Sequence, residues 1–132
     1  MWEIGSVHSI EIKWTAVVLQ GTSGLYVSSY VDPEGERHYM AATQFETAGA
    51  RKMFPCFDEP GYKSYFTFTV YYKHADYNAV WNMPVAETGP AEGNPGYYYA
   101  KYDTSMKISP YLLALAISDY DYSSYDYSAE TK

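Results

Sequence analysis

Two side chains that could bind a charged group lie two residues apart near the middle of the chain. Gln44 offers an amide and Glu46 a carboxylate, and Phe45 separates them. Residues two apart on a strand point to the same face, so both polar groups can reach one site while Phe45 turns into the core. A carboxylate there can hold a cation, because charge-assisted hydrogen bonds replace the water that the cation loses. The same pattern is also typical of an ordinary polar strand face exposed to solvent.

A second group of charged residues follows along the chain. Arg51 precedes the adjacent acids Asp58 and Glu59, and Pro55 and Pro60 bracket the loop between them. Because an arginine can bind a carboxylate through two parallel hydrogen bonds, we expect an ion pair that fixes this restricted loop. We therefore assign structural roles to Arg51, Asp58 and Glu59. Asp58 and Glu59 are disfavoured as a catalytic acid/base pair, since no nearby residue supplies a metal ion or a shaped pocket.

The spacing of the histidines predicts no metal site. The chain has 3 histidines, His8, His38 and His74, and none has another histidine or a cysteine three or four positions away. A zinc-binding helix of the His-Glu-x-x-His type needs two imidazoles one turn apart. For Cys56 we expect a small buried thiol, because a free cysteine usually packs as a hydrophobic residue. We therefore expect no catalytic residue, no metal and no cofactor in this chain.

Composition and charge indicate one acidic β-rich domain. A length of 132 residues suits a single domain over 1–132. The formal net charge of −7 and the pI near 4.8 disfavour nucleic acid as a partner, because phosphate binding needs clustered lysine and arginine. No apolar run approaches the roughly 20 residues that cross a bilayer. Residues 1–20 also lack the charged start and apolar middle of a signal peptide.

Apolar and polar residues alternate with a period of two along much of the chain, which predicts strands. Segments 25–31 and 37–45 flank a turn sequence, Asp32-Pro33-Glu34-Gly35-Glu36, and should form a β-hairpin. A strand is also predicted around Ile10, Ile12 and Trp14. The remaining predictions are strands over 64–72, 78–85, 97–102 and 111–120, a loop over 87–96 and a helical turn over 48–52. We expect an all-β fold, an antiparallel twisted sheet or sandwich with little helix.

A series of short motifs occurs in one order along the chain. They are GLYVSSY at 24–30, GERHYMAA at 35–42, TQFETAGARKMFPCFDEP at 43–60, NMPV at 82–85, YLLA at 111–114 and SDY at 118–120. In this order and spacing, from about Ile10 to Tyr120, they resemble the N-terminal β-domain of zinc-dependent aminopeptidases of the aminopeptidase N type. The chain departs from that family's pattern at Val27 (usually basic), Ala48-Gly49 (usually Thr-Asp), Trp81 (usually Ser) and Pro110 (usually Thr).

This resemblance implies a substrate-binding role within a saddle-like β-domain. In similar enzymes the glutamate corresponding to Glu46 joins glutamates of the catalytic domain around the free amino end of a peptide. The glutamine corresponding to Gln44 lines the pocket for the first side chain. Zinc is implied for the full-length enzyme, but its His-Glu-x-x-His segment is missing from this chain, so the isolated chain is expected to be inactive. The resemblance also favours the extracellular side of a membrane-anchored enzyme.

The resemblance further implies that the chain is an incomplete segment of a larger domain. Unpaired sheet edges in such a segment would promote self-association. The alternative function is a non-catalytic extracellular β-sandwich that serves as a binding or antigen module. The tyrosine-rich end at 120–127 is interpreted as an exposed polar-aromatic segment. Tyrosine sulfation and a calcium loop at Asp119, Asp121, Ser123 and Glu130 are alternatives, although Ser124 stands where that loop needs glycine.

Overall fold

Eight strands and two 3₁₀ turns form the regular structure of the described residues, 3–121 and 123, in a computed structural model. The strands are β1 (Leu19–Gln20), β2 (Gly24–Val31), β3 (Arg37–Gln44), β4 (Thr69–Lys73), β5 (Asn78–Trp81), β6 (Val85–Pro90), β7 (Tyr97–Tyr102) and β8 (Leu115–Ser118). The 3₁₀ turns are Ala50–Lys52 and Pro110–Leu112. Within this part of the chain no helix is long and apolar enough to span a bilayer. The predicted all-β fold is confirmed.

The strands form two sheets, and the predicted hairpin lies in the larger one. The five-stranded sheet has the order β1-β2-β3-β8-β5, and the three-stranded sheet has the order β4-β7-β6. Neighbouring strands pair antiparallel except for β1 and β2. Strands β2 and β3 pair along their whole length, from Gly24 opposite Gln44 to Val31 opposite Arg37. Gly35 supplies the positive φ, of 89°, that the connecting turn requires.

The hydrophobic core contains residues from both sheets. Trp81 and Leu115 come from the larger sheet, and Ala100 and Tyr102 from the smaller one. The Trp81 ring lies 5.6 Å from the ring of Tyr102. Tyr102 is 2% exposed, and burial raises the pKa of its phenol to about 12. Phe45, immediately after β3, belongs to the same core and thereby fixes the end of that strand.

Several predicted strand boundaries are wrong. The strand expected over 64–72 begins only at Thr69, and the one expected over 111–120 consists of a 3₁₀ turn followed by β8. The loop expected over 87–96 begins late, because β6 continues to Pro90. The strand expected over 78–85 ends at Trp81, since the Asn82 side chain takes over the pairing with the neighbouring segment. Its Oδ1 accepts the Ala114 N–H at 2.7 Å, and its Nδ2 donates to the Leu112 carbonyl at 2.9 Å.

The N-terminal segment does not form the predicted strand. Ile10, Ile12 and Trp14 lie outside the strands and are 74%, 53% and 54% exposed. An alternating pattern of apolar and polar residues does not by itself produce a strand, because a strand also needs a neighbouring strand for its backbone hydrogen bonds. The helical turn predicted over 48–52 is present as Ala50–Lys52. The predictions of sulfation and of a calcium loop depend on residues 122 and 124–132, which lie outside the described residues.

Candidate functional site

Gln44 and Glu46 lie at the end of β3, on either side of a buried aromatic residue. Strand β3 ends at Gln44, and Phe45 and Glu46 follow directly. Phe45 is 3% exposed, whereas the residues before and after it are exposed to solvent. The peptide bond between Glu46 and Thr47 is cis. This burial pattern leaves the amide and the carboxylate outside the core while the residue between them anchors the backbone.

The backbone that carries the two polar side chains is fixed by its neighbours. The Thr43 hydroxyl accepts the backbone N–H of Leu115 at 2.8 Å, which ties β3 to β8. The Phe45 carbonyl accepts the Gly49 N–H at 2.7 Å, and the Phe45 ring packs edge-on against Phe54 with centroids 6.3 Å apart. A Cβ atom on Gly49 would lie 2.8 Å from the Gln44 carbonyl oxygen, so the following turn packs closely against the strand end. Thr43 and Phe45 therefore hold the positions of Gln44 and Glu46.

Neither polar side chain is bonded to another residue in the described part of the chain. Gln44 and Glu46 make no side-chain hydrogen bond and no ion pair with any residue in 3–121 or with residue 123. The nearby Lys52 is already engaged, since its Nζ donates to the Ser23 hydroxyl at 2.9 Å. The Glu46 carboxylate consequently keeps its acceptor positions available for a cationic group that approaches from solvent.

An apolar cavity of about 200 Å³ lies on the core side of β3. Its lining includes Thr43 and Phe45 together with Trp14, Phe54, Phe68 and Trp81. Trp14 is held over it by a hydrogen bond from its Nε1 to the Met53 carbonyl at 2.8 Å. Gln44 and Glu46 do not line this cavity. Both side chains are exposed to solvent instead.

Arg51 and Asp58 are hydrogen-bonded to each other beside the 3₁₀ turn Ala50–Lys52. The backbone N–H and Nε of Arg51 donate to Asp58 Oδ2 at 3.0 and 3.4 Å. The guanidinium also donates to the Phe57 carbonyl at 2.9 Å. The Asp58 side chain is 1% exposed, and its Oδ1 has no hydrogen-bond partner among the described residues. Glu59 is exposed instead, so the two neighbouring acids occupy different environments and do not share a site.

Cys56 lies in the same loop and is half-buried. It packs against the hydrophobic core, and burial raises the pKa of its thiol. A thiol with a raised pKa carries little thiolate at neutral pH and is a poor nucleophile. This environment matches a packed hydrophobic side chain better than a reactive cysteine.

The described residues do not fit a zinc centre that needs two histidines. One set of metal-ligating side chains within residues 3–121 and 123 is close enough to share an ion, and it consists of Asp32, Glu36 and His38. It contains a single imidazole. The histidine spacing did not predict this cluster, although the sequence Asp-x-x-x-Glu-x-His across a hairpin turn could have indicated it.

Comparisons with known proteins identify the family. The peptidase M1 N-terminal domain family matches residues 3–112. Endoplasmic reticulum aminopeptidase 1 of Rattus norvegicus is 38% identical over 116 residues, which cover 88% of this chain and 12% of that protein. Aminopeptidase N of Acetobacter pasteurianus is 39% identical over 112 residues, with coverage of 85% and 31%. Aminopeptidase N of Homo sapiens is 35% identical over 119 residues, with coverage of 89% and 12%.

These relatives cover most of this chain, while the chain covers at most 31% of any of the three. The family match spans most of the chain, from residue 3 to residue 112. The chain belongs to the peptidase M1 N-terminal domain family of aminopeptidases.

Proposed function

We propose that this chain is a segment of the N-terminal domain of a zinc aminopeptidase and that it contacts the free amino end of a peptide substrate. Glu46 accepts hydrogen bonds from the substrate α-ammonium, and Gln44 lines the pocket for the first side chain. The observation that carries this proposal is the burial pattern at the end of β3, where buried Phe45 separates two exposed and uncommitted polar side chains.

The chemistry of the ammonium group favours a carboxylate at this position. An α-ammonium loses water when it enters a cleft, and that loss is costly unless charged acceptors replace the water. A carboxylate oxygen makes a charge-assisted hydrogen bond that is shorter and stronger than a bond between neutral groups. Because Glu46 makes no ion pair within the described residues, no bond has to be broken before it meets the substrate.

Gln44 suits the neighbouring position for a different reason. Its amide can donate and accept hydrogen bonds without adding charge. A neutral group of this kind can border a pocket that receives varied side chains. Phe45 fixes the spacing between the Gln44 amide and the Glu46 carboxylate, so these neighbouring groups would contact the amine and the first side chain of the same peptide.

The hydrolytic chemistry of this proposal belongs to the full-length enzyme. The relatives are named aminopeptidases, and each extends far beyond the matched segment. The zinc of such an enzyme would be held by residues outside this chain, since the histidines present here do not form a two-histidine centre. The role proposed for this chain is to bind and orient the substrate.

Replacement of Glu46 by glutamine in the full-length enzyme tests this role. The variant keeps the size of the side chain but loses the charge. A hydrogen bond to a charged group contributes about 1.5–3 kcal/mol. We therefore expect kcat/KM for a peptide with a free amino end to fall by about 10–150-fold, at 1.4 kcal/mol per factor of ten. Steady-state kinetics with one unblocked peptide measure this change.

Two further variants make the result specific. Glu34→Gln removes an exposed acid in the turn at the other end of β3 and should leave kcat/KM unchanged. Gln44→Ala should alter the relative kcat/KM among peptides that differ in the first residue. If Glu46→Gln stays within twofold of the parent enzyme, Glu46 does not bind the amine.

A further inference from the structure

The turn between β2 and β3 gathers metal-ligating side chains that the proposed substrate role does not use. Asp32, Glu36 and His38 each offer one ligand atom, and these atoms lie within 4.8 Å of one another. The turn itself holds the first acid in place. The Glu36 N–H donates to Asp32 Oδ1 at 2.7 Å, and the Asp32 N–H donates to the Glu36 carbonyl at 2.9 Å. The second carboxylate oxygen, Oδ2, is left facing His38 Nε2 at 3.1 Å.

A residue from a different strand fixes the orientation of the imidazole. Asp119, immediately after β8, lies with its Oδ2 at 2.5 Å from His38 Nδ1. Tyr30 stacks on the imidazole with centroids 4.9 Å apart, and its hydroxyl donates to the other oxygen of Asp119 at 3.2 Å. Histidines that bind metals characteristically donate their remaining N–H to a carboxylate, which fixes the tautomer and strengthens the ligand. His38 has this arrangement, with Nδ1 facing Asp119 and Nε2 facing Asp32 Oδ2.

The distance between the first two ligand atoms suits a small cation. Zinc binds nitrogen and carboxylate oxygen at about 2.0–2.2 Å in tetrahedral geometry, so neighbouring ligand atoms lie roughly 3.3–3.5 Å apart. The observed separation of Asp32 Oδ2 and His38 Nε2 is 3.1 Å, so the two atoms would move apart by a few tenths of an ångström around an ion. Glu36 is exposed and its carboxylate makes no hydrogen bond within the described residues, so it can rotate toward the same point. This rotation would bring all three ligand atoms, which lie within 4.8 Å of one another, around one ion.

We infer that Asp32, Glu36 and His38 bind a divalent transition-metal cation, with Asp119 as the positioning residue for the imidazole. One nitrogen and two carboxylate ligands favour zinc or cobalt over magnesium or calcium, which prefer sites made only of oxygen. Asp32, Glu36 and Asp119 together carry more negative charge than one imidazole can balance, and this excess also favours a bound cation. Bound metal would join the hairpin turn to the end of β8 through His38 and Asp119.

Calorimetric titration of the 132-residue chain with zinc chloride alone tests the site. The hydrogen bond to Asp32 raises the pKa of His38, so the titration is made at pH 8, where protons compete less for the imidazole. We expect one zinc ion per chain with a Kd in the micromolar range. Cobalt should bind at the same place and give the visible absorption of a low-coordinate ion, and excess magnesium should not displace either metal.

Four variants separate this site from incidental binding to other side chains. His38→Gln should weaken zinc binding at least 100-fold and Glu36→Gln at least tenfold. Asp119→Asn should weaken zinc binding about 10–100-fold, as is usual when a metal-binding histidine loses the carboxylate that accepts its other ring N–H. His74→Gln is the matched control and should change the Kd less than twofold.

The proposal is overturned if the folded chain binds zinc no more tightly than millimolar, or if His74→Gln weakens binding as much as His38→Gln does. Glu36→Gln decides the matter if His38→Gln unfolds the hairpin, because the exposed Glu36 side chain supports no contact among the described residues. An unchanged Kd for Glu36→Gln would mean that these side chains form ion pairs at the turn and do not bind zinc together.

Discussion

Replacement of Trp81 by alanine is expected to lower the free energy of unfolding by about 3–5 kcal/mol, the usual cost of truncating a large buried aromatic residue. Trp81 is 8% exposed and lies at the end of β5. Its ring stacks on Phe68 at 5.4 Å and lies 5.6 Å from Tyr102. It therefore connects the two sheets, and its loss leaves a cavity that neighbouring strands cannot close. Urea denaturation followed by circular dichroism measures the change.

Val80→Ala is the matched control for this experiment. Val80 precedes Trp81 on the same strand and is 50% exposed, so its truncation should cost less than about 1 kcal/mol. A Trp81→Ala protein that is as stable as Val80→Ala would show that the two sheets do not share this core.

Replacement of Asp58 by alanine is expected to cost about 2–4 kcal/mol of unfolding free energy, because it removes a buried carboxylate that accepts two hydrogen bonds. The Asp58 side chain is 1% exposed, and its Oδ2 accepts from both the backbone N–H and Nε of Arg51. The Arg51 N–H then loses its acceptor. The guanidinium is half-exposed and can turn to water, which keeps the cost below that of breaking a fully buried ion pair.

Two neighbouring substitutions show whether the effect comes from this contact. Glu59→Ala removes the adjacent exposed acid and should change the stability by no more than about 0.5 kcal/mol. Asp58→Asn keeps an acceptor but loses the charge, and its stability should lie between that of the alanine variant and that of the parent. If Glu59→Ala costs as much as Asp58→Ala in the same denaturation experiment, the contact between Arg51 and Asp58 does not stabilise this loop.

Local turn chemistry made the hairpin predictable. Pro33 and Gly35 mark the turn, and the strands on both sides alternate, so β2 and β3 could be placed within one residue of their observed ends. The exposure of Gln44 and Glu46 on either side of Phe45 follows from the same period of two. These features depend on residues close together in the sequence.

Strand boundaries were less predictable, because hydrogen-bond partners are distant in sequence. Phe66 and Phe68 face the core as their alternation indicates, but regular pairing begins only at Thr69. The Phe66 carbonyl accepts the Ser105 backbone N–H at 2.8 Å, but the Phe66 N–H donates to the Ser105 hydroxyl at 2.9 Å, so a side chain replaces one of the two backbone bonds there. Nothing near Phe66 in the sequence indicates that exchange.

The cluster at the hairpin turn could be predicted only in part for the same reason. Asp32, Glu36 and His38 are neighbours in sequence and could have been grouped from the turn alone. Asp119, which orients the imidazole, is 81 residues away from His38. Only the pairing of β3 with β8 brings the two together.

A crystal structure of the full-length enzyme with a bound peptide analogue that carries a free α-amine tests directly whether Glu46 binds the substrate amine. We expect a Glu46 carboxylate oxygen at about 2.7–2.9 Å from the amine nitrogen, as in other charge-assisted hydrogen bonds, with Gln44 beside the first side chain. An amine held entirely by other groups, with the Glu46 carboxylate beyond hydrogen-bonding distance and turned toward solvent, would contradict it.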